Sequence, residues 1–208
     1  MEREVLVTGV GGQGVQLGAQ VLARAAAIEG REVMLFGVYG GSMRGGNTDS
    51  TVVIGDGPIQ APPIVSRAWS AILMSTKYWE PGERSMGMSR KLNPGGLVLV
   101  NTSMATDAAR PDASRFTVVE VPATDIAARA GRELTQTMVM IGAYVKVTQV
   151  VDVESLVEAM MQSLPGYRRQ HAEANAEMLR AGYELDDLPR VPFWDVVAPA
   201  ATAGGAGR

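Results

Sequence analysis

Apolar residues along this chain follow two periodicities, and the alternation between them organises it. Short runs rich in Val, Ile and Leu read as strands: Glu4-Val5-Leu6-Val7-Thr8, Glu32-Val33-Met34-Leu35-Phe36, Ser50-Thr51-Val52-Val53-Ile54, Ala71-Ile72-Leu73-Met74, Leu97-Val98-Leu99-Val100 and Phe116-Thr117-Val118-Val119-Glu120-Val121. The fourth and fifth are unbroken apolar runs, the pattern of strands buried on both faces. Between the first two, Val15 to Ile28 carries Val15, Leu17, Val21, Leu22, Ala25 and Ile28 on one face of a helix, and Gly30 ends it. From Ala123 onward the spacing is helical through 123–130, 135–148, 153–163 and 166–181. Strands alternating with helices predict an α/β fold: a doubly wound, mostly parallel sheet with helices on both faces and a helical C-terminal part.

The end of the chain breaks this pattern. Residues 186–208 hold Pro189, Pro192 and Pro199 and finish in an Ala/Gly run, which predicts a domain over 1–185 followed by a mobile tail over 186–208. Phe193 and Trp194 are apolar residues stranded there. They either pack back on the domain or anchor it to a partner.

The first strand runs straight into Gly9-Val10-Gly11-Gly12-Gln13-Gly14 and then the first helix. Glycines let backbone turn tightly and approach an anion, and a helix start offers free N–H groups at the positive end of a dipole. A dinucleotide site also needs an acid about 20 residues on, at the end of the second strand, to hold the ribose. Here that strand ends in Leu35-Phe36-Gly37, and Glu29 and Glu32 lie at its wrong end. NAD is disfavoured. A turn that only packs strand against helix, and a site for another phosphate-bearing ligand, both stay open.

Composition removes other classes. The 208 residues are 46% hydrophobic with a formal charge of -3, enough for a core and without the basic footprint of a nucleic-acid binder. No apolar run has the length of a membrane span, and the chain enters its first strand too soon for a signal peptide, so a cytoplasmic location is expected. With no cysteine, thiolate-held iron–sulfur clusters, cysteine zinc sites and disulfides are impossible within this chain. The single histidine, His171, sits in a polar helical stretch and reads as solvated.

A second glycine-rich segment leaves the carboxyl end of the second strand: Tyr39-Gly40-Gly41-Ser42-Met43-Arg44-Gly45-Gly46-Asn47-Thr48. In a doubly wound sheet it lies beside the first glycine loop, where ligands bind. Arginine suits planar recognition of phosphate or carboxylate. The plain alternative is a long solvated connection. Twelve methionines are mostly core filler, but Met43, Met86 and Met88 lie among polar and glycine residues where a partner's surface would cover them.

Gly11-Gly12-Gln13-Gly14 followed by Arg44-Gly45-Gly46 resembles the gamma subunit of 2-oxoacid:ferredoxin oxidoreductases. The resemblance continues through Val121-Pro122-Ala123-Thr124 and Met138-Val139-Met140-Ile141-Gly142-Ala143 to Asn175-Ala176 and Gly182, covering about residues 3–185. Thr137 departs from it, standing where relatives commonly have asparagine. The resemblance implies a subunit without a redox centre, belonging to an enzyme that decarboxylates a 2-oxoacid, passes the acyl group to coenzyme A and sends electrons to ferredoxin or a similar acceptor. It places thiamine diphosphate, Mg and 4Fe-4S clusters in alpha-, beta- and delta-type partner subunits, and implies that this chain helps bind coenzyme A and assemble the complex. The implied cofactor-binding residues are Gly11, Gly12, Gln13, Gly14, Arg44, Gly45, Gly46 and Asn47, with Gln13 orienting a ligand carbonyl or hydroxyl; no catalytic residue and no metal ligand is expected in this chain. A purely structural subunit, its glycine loops serving as interface, is the alternative. A stand-alone Rossmann-type nucleotide-binding protein fits less well. Gly55-Asp56-Gly57 matches the start of a thiamine diphosphate motif, but positions 80–87 lack the asparagine that motif needs, so a tight turn accounts for Asp56.

Overall fold

The computed structural model describes residues 1–39, 46–60, 64, 66–80, 87–106, 109–164 and 166–194. In chain order they form β1 (Glu2–Val10), α1 (Val15–Ile28), β2 (Glu32–Tyr39), β3 (Asn47–Gly55), β4 (Ala68–Leu73), β5 (Leu92–Asn101), β6 (Thr117–Val121), α2 (Ala123–Arg129), α3 (Gln136–Thr148), α4 (Val153–Ser163) and α5 (Ala172–Tyr183). Short 3₁₀ turns occupy Met88–Lys91, Thr102–Met104, Glu133–Thr135 and Gly166–His171. Each predicted strand and helix is present. The largest differences are at β3, which begins at Asn47 rather than Ser50, at β5, which starts back at Leu92, and before α5, where the expected helix opens as a 3₁₀ turn.

The sheet order is β2-β3-β1-β4-β5-β6. β1, β4, β5 and β6 are parallel neighbours, while β3 runs antiparallel to both β1 and β2. Only β3 is therefore reversed, and the sheet is mostly parallel, as expected. From β1 the chain winds outward through α1 to β2; from β4 it winds the other way to β5 and β6. The carboxyl ends of β1 and β4 thus lie side by side with their connections departing in opposite directions, the topological switch point at which open α/β sheets bind ligands.

Coverage of the two faces differs from the expectation of helices on both. Val5, Val7, Val52, Ile54, Ile72, Leu97, Leu99, Val119 and Val121 share one core with buried residues of all five α-helices. The alternate residues Leu6, Ala71, Leu73, Val98 and Val100 meet Trp79, Met88, Leu92 and Phe116 instead. Among the described residues the β4–β5 and β5–β6 connections contain only 3₁₀ turns, so the winding is kept while the second face receives a thinner cover. Met88, expected at a partner surface, is 4% exposed in that second cluster; Met43 and Met86 lie outside the described residues.

On the helical face, α3 and α5 approach unusually closely. A Cβ on Gly142 would sit 2.0 Å from the Leu179 carbonyl oxygen, and one on Gly182 would sit 2.0 Å from that of Val139. The two glycines face each other's helix, and that contact brings together two ends of the sequence pattern on which the resemblance rests. Asp56 closes β3 as expected: its carboxylate pairs with the Met1 ammonium, which holds it below the usual carboxylate range, and its N–H donates to the Met1 carbonyl at 3.0 Å.

The stretch expected to be a mobile tail is docked through residue 194; residues 195–208 lie outside the described part. Val191 N–H donates to the Val147 carbonyl (2.9 Å) and Phe193 N–H to that of Thr148 (2.7 Å), at the end of α3. Arg3 Nη1 donates to the Pro192 carbonyl at 3.0 Å. The Phe193 ring is fully buried, edge-on to Trp69 and Trp194 at 5.0 and 4.8 Å, and Arg31 stacks over Trp194 at 4.4 Å. Of the two roles left open for Phe193, packing back on the domain is the one present. Removing a fully buried aromatic ring costs about 3–5 kcal/mol. Phe193→Ala is therefore expected to lower the thermal midpoint by about 10 °C, since 1 kcal/mol corresponds to about 2–4 °C at this size; an unchanged melt in a calorimeter would show the strap to be dispensable.

Candidate functional site

β1 ends in Val10, and the chain then turns into α1 through Gly11-Gly12-Gln13-Gly14. Gly14 caps α1 at φ 83, a left-handed conformation that side chains other than glycine rarely tolerate. The sharpness of this corner lets α1 start immediately beyond the carboxyl end of β1.

Hydrogen bonds sort the four candidate amides of the turn. Gly11 N–H donates to the Gly46 carbonyl at 2.9 Å, and Gln13 N–H to that of Val10 at 3.1 Å. The N–H groups of Gly12 and Gly14 have no acceptor among the described residues, and the first-turn amides of α1 add to them. Two of the four are thus available to an anion. The Gln13 side chain is equally committed: Oε1 accepts from Val10 N–H at 2.8 Å, Nε2 donates to the Met74 carbonyl at 3.4 Å, and the residue is 8% exposed. Its amide ties the turn to the residue that follows β4.

Thr137, at the start of α3, donates its hydroxyl to the Gln13 carbonyl. In a trans peptide the C=O and the following N–H point to opposite sides. Holding the Gln13 oxygen toward α3 therefore turns the Gly14 N–H away from it. The sequence marks Thr137 only as a departure from a pattern; the structure makes it the residue that aims the turn.

The second glycine loop meets the first. β3 starts at Asn47 directly opposite Val10, so Gly46 lies against Gly11. Asn47 Nδ2 donates to Asp49 Oδ2 at 2.7 Å, and Thr8 Oγ1 donates to Asp49 Oδ1 at 2.6 Å. With its amide nitrogen fixed in this way, Asn47 Oδ1 is left as a buried acceptor without a partner. Gln16 links α1 to β3, donating to the Asp49 carbonyl (2.9 Å) and accepting from Ser50 Oγ (2.8 Å). Gly11, Gly12, Gln13, Gly14, Gly46 and Asn47 are thus brought together; Arg44 and Gly45 lie outside the described residues.

Two further polar residues, Asn101 and Thr124, complete the switch point. Asn101, fully buried at the end of β5, donates to the Met74 carbonyl (3.3 Å) and to Thr124 Oγ1 (2.9 Å), and Thr124 N–H returns to Asn101 Oδ1 (3.4 Å). Asp49 and Asn101 were not candidates from the sequence. For Asn101 the available signal was a polar residue closing an apolar run, which acquires meaning only once the strand order is known; Asp49, in a polar stretch before its apolar run, gave none. His171 is exposed, as expected.

A family model described as pyruvate ferredoxin/flavodoxin oxidoreductase matches residues 4–185. The 2-oxoglutarate synthase subunit KorC of Methanocaldococcus jannaschii is 30% identical over 89% of this chain and 94% of its own length. The pyruvate/ketoisovalerate oxidoreductases common subunit gamma of Thermococcus litoralis is 28% identical over 87% of this chain and 95% of its own. Among solved structures, the gamma subunit of a keto/oxoacid ferredoxin oxidoreductase from Geobacter sulfurreducens PCA superposes with a TM-score of 0.70 at 25% identity, covering 88% of this chain and 96% of that one.

Proposed function

The chain belongs to the pyruvate ferredoxin/flavodoxin oxidoreductase family, as a gamma subunit of a multi-subunit 2-oxoacid:ferredoxin oxidoreductase, and on that premise we propose that it holds the phosphate-bearing end of coenzyme A at the carboxyl end of β1 and the amino end of β3. The observation that carries this reading is the pair of unengaged amides, Gly12 and Gly14, at the N-terminus of α1, the second of them aimed by Thr137, in a turn bound through Gly11 to the second glycine loop. Backbone N–H groups and a helix start favour phosphate. A nucleotide that is not read through a ribose-binding acid suits a site whose second strand ends in apolar residues. Asn47 Oδ1 accepts an N–H or O–H of the ligand, and Arg44 pairs with phosphate while Gly45 and Gly46 let the backbone come close. Gln13 contributes by holding the turn rather than by touching the ligand.

The chemical steps belong elsewhere in the complex. A chain without cysteine cannot ligate an iron–sulfur cluster through thiolates, so the clusters, and with them thiamine diphosphate and magnesium, are assigned to companion subunits of alpha, beta and delta type. Among the described residues no helix is long and apolar enough to cross a membrane.

Titration of the assembled enzyme with coenzyme A tests the site. Hydrogen bonds to charged groups contribute about 1.5–3 kcal/mol, so Arg44→Ala is expected to weaken the apparent affinity by at least about tenfold with the complex intact. Unchanged affinity removes Arg44 from the site. Loss of assembly, with normal affinity in whatever complex remains, favours the structural role, in which Arg44 bridges to a carboxylate of a partner.

A further inference from the structure

At the pole opposite the glycine loops, the amino ends of β4, β5 and β6 surround a concavity of about 670 Å³. Arg67 precedes β4, Arg90 belongs to the 3₁₀ turn Met88–Lys91, and Arg115 precedes β6; Leu92, Pro94 and Phe116 supply the apolar part of the lining. In a chain of net charge -3, three arginines around one hollow are a marked local excess. All three are exposed, and none makes an ion pair or side-chain hydrogen bond within the described residues; Arg115 lies over the Phe116 ring at 5.1 Å. Two carboxylates lie nearby: Asp112, which accepts from Ser114 N–H at 2.8 Å and whose charge acts on Arg115, and Glu80, which accepts from Ser89 Oγ at 3.2 Å.

Several backbone amides here are already engaged. Gly95 N–H donates to the Arg115 carbonyl (2.8 Å), Ser89 N–H to that of Trp79 (2.9 Å), and the N–H groups of Arg115 and Phe116 to that of Asp112 (3.0 and 3.1 Å). A phosphate site presents free amides, as the glycine turn does at the other pole. What this hollow presents is three guanidinium groups on long stems beside apolar surface, the composition of a protein interface. It also adjoins, through Leu92 and Phe116, the sheet face that carries no α-helix among the described residues.

We propose that the concavity of Arg67, Arg90 and Arg115 docks an acidic segment of a companion subunit, whose carboxylates pair with the guanidinium groups while its apolar side chains rest on Pro94 and Phe116. The proposal rests on the subunit assignment and is independent of where coenzyme A binds.

The test uses the full-length chain and the companion subunits purified without it. Binding is followed by interferometry at low and high salt for the wild type, Arg90→Glu/Arg115→Glu, Arg90→Lys/Arg115→Lys, and Arg129→Glu on α2 as a charge control. The expected result is a loss of at least about tenfold in affinity for the double glutamate, most of it retained in the double lysine, an unaffected control, and unchanged melting of the isolated variants. Wild-type affinity should fall with salt. Undiminished binding of the double glutamate, an equal loss in the control, or a loss explained by altered melting overturns the proposal. So does an intact complex in which the double glutamate loses only a tripolyphosphate-induced melting shift, which would make the hollow a small-anion site. A wild-type chain that does not join the companions overturns the subunit premise itself, an outcome distinct from failure of the docking site alone.

Discussion

Gly142→Ala should destabilise the protein by about 3 kcal/mol, and Gly142→Val by more. Glycine to alanine within a helix normally stabilises by about 1 kcal/mol, so the expected sign is the reverse of helix propensity. The reason is steric. The new Cβ would lie 2.0 Å from the Leu179 carbonyl oxygen and 3.0 Å from the Tyr183 nitrogen, both backbone atoms that no rotamer change can move. α3 and α5 would have to separate, opening the packing of Val139, Ala143 and Leu179, all fully buried. Overpacking costs about 1–3 kcal/mol even where side chains can give way, and here the obstacle is main chain. Gly182→Ala should behave alike, with the Val139 carbonyl as obstacle. Gly57, with nothing within 4 Å of its Cβ position and no positive φ, is the control; Gly57→Ala should change stability by less than about 0.5 kcal/mol. Urea midpoints of the three variants would decide, and a stabilised Gly142→Ala would refute the close helix contact.

Thr137→Val should weaken the apparent coenzyme A affinity of the assembled enzyme by about tenfold and cost about 1–3 kcal/mol of stability. Valine keeps the shape of threonine and removes only the hydroxyl, leaving the buried Gln13 carbonyl without its donor. Losing that bond frees the peptide joining Gln13 to Gly14, and with it the direction of the Gly14 amide. Thr137→Ser keeps the hydroxyl and should retain most of the affinity. A Thr137→Val enzyme with normal coenzyme A binding and lowered stability would make this threonine a packing element only. The expectation rests on the placement of coenzyme A at the glycine turn, whereas the stability effect does not.

Much of the scaffold was legible because each strand is a local pattern: Val15–Ile28 has the bounds that its apolar face predicts, and the strands differ mainly at their polar ends. Long-range pairing was less accessible. Nothing in the spacing of Asp49 indicates that it faces Thr8, because that depends on the antiparallel register of β1 with β3. Asn101 and Thr124 meet only when β5 and the start of α2 are brought together, and the bond from Gln13 to the Met74 carbonyl depends on β4 lying beside β1. The tail was misleading for a different reason. Proline, alanine and glycine signal low local order, and a single aromatic ring buried between Trp69 and α3 outweighs that signal for the residues around it.

The clasp between Arg3 and the Pro192 carbonyl joins positions 189 apart in sequence, on a strand from the middle of the sheet. A contact between positions so far apart is rewarded only after the long loop between them has closed, and that entropy must be met first. When the denatured chain refolds, the strap is therefore expected to dock late, with the sheet formed before Phe193 enters the slot beside Trp69.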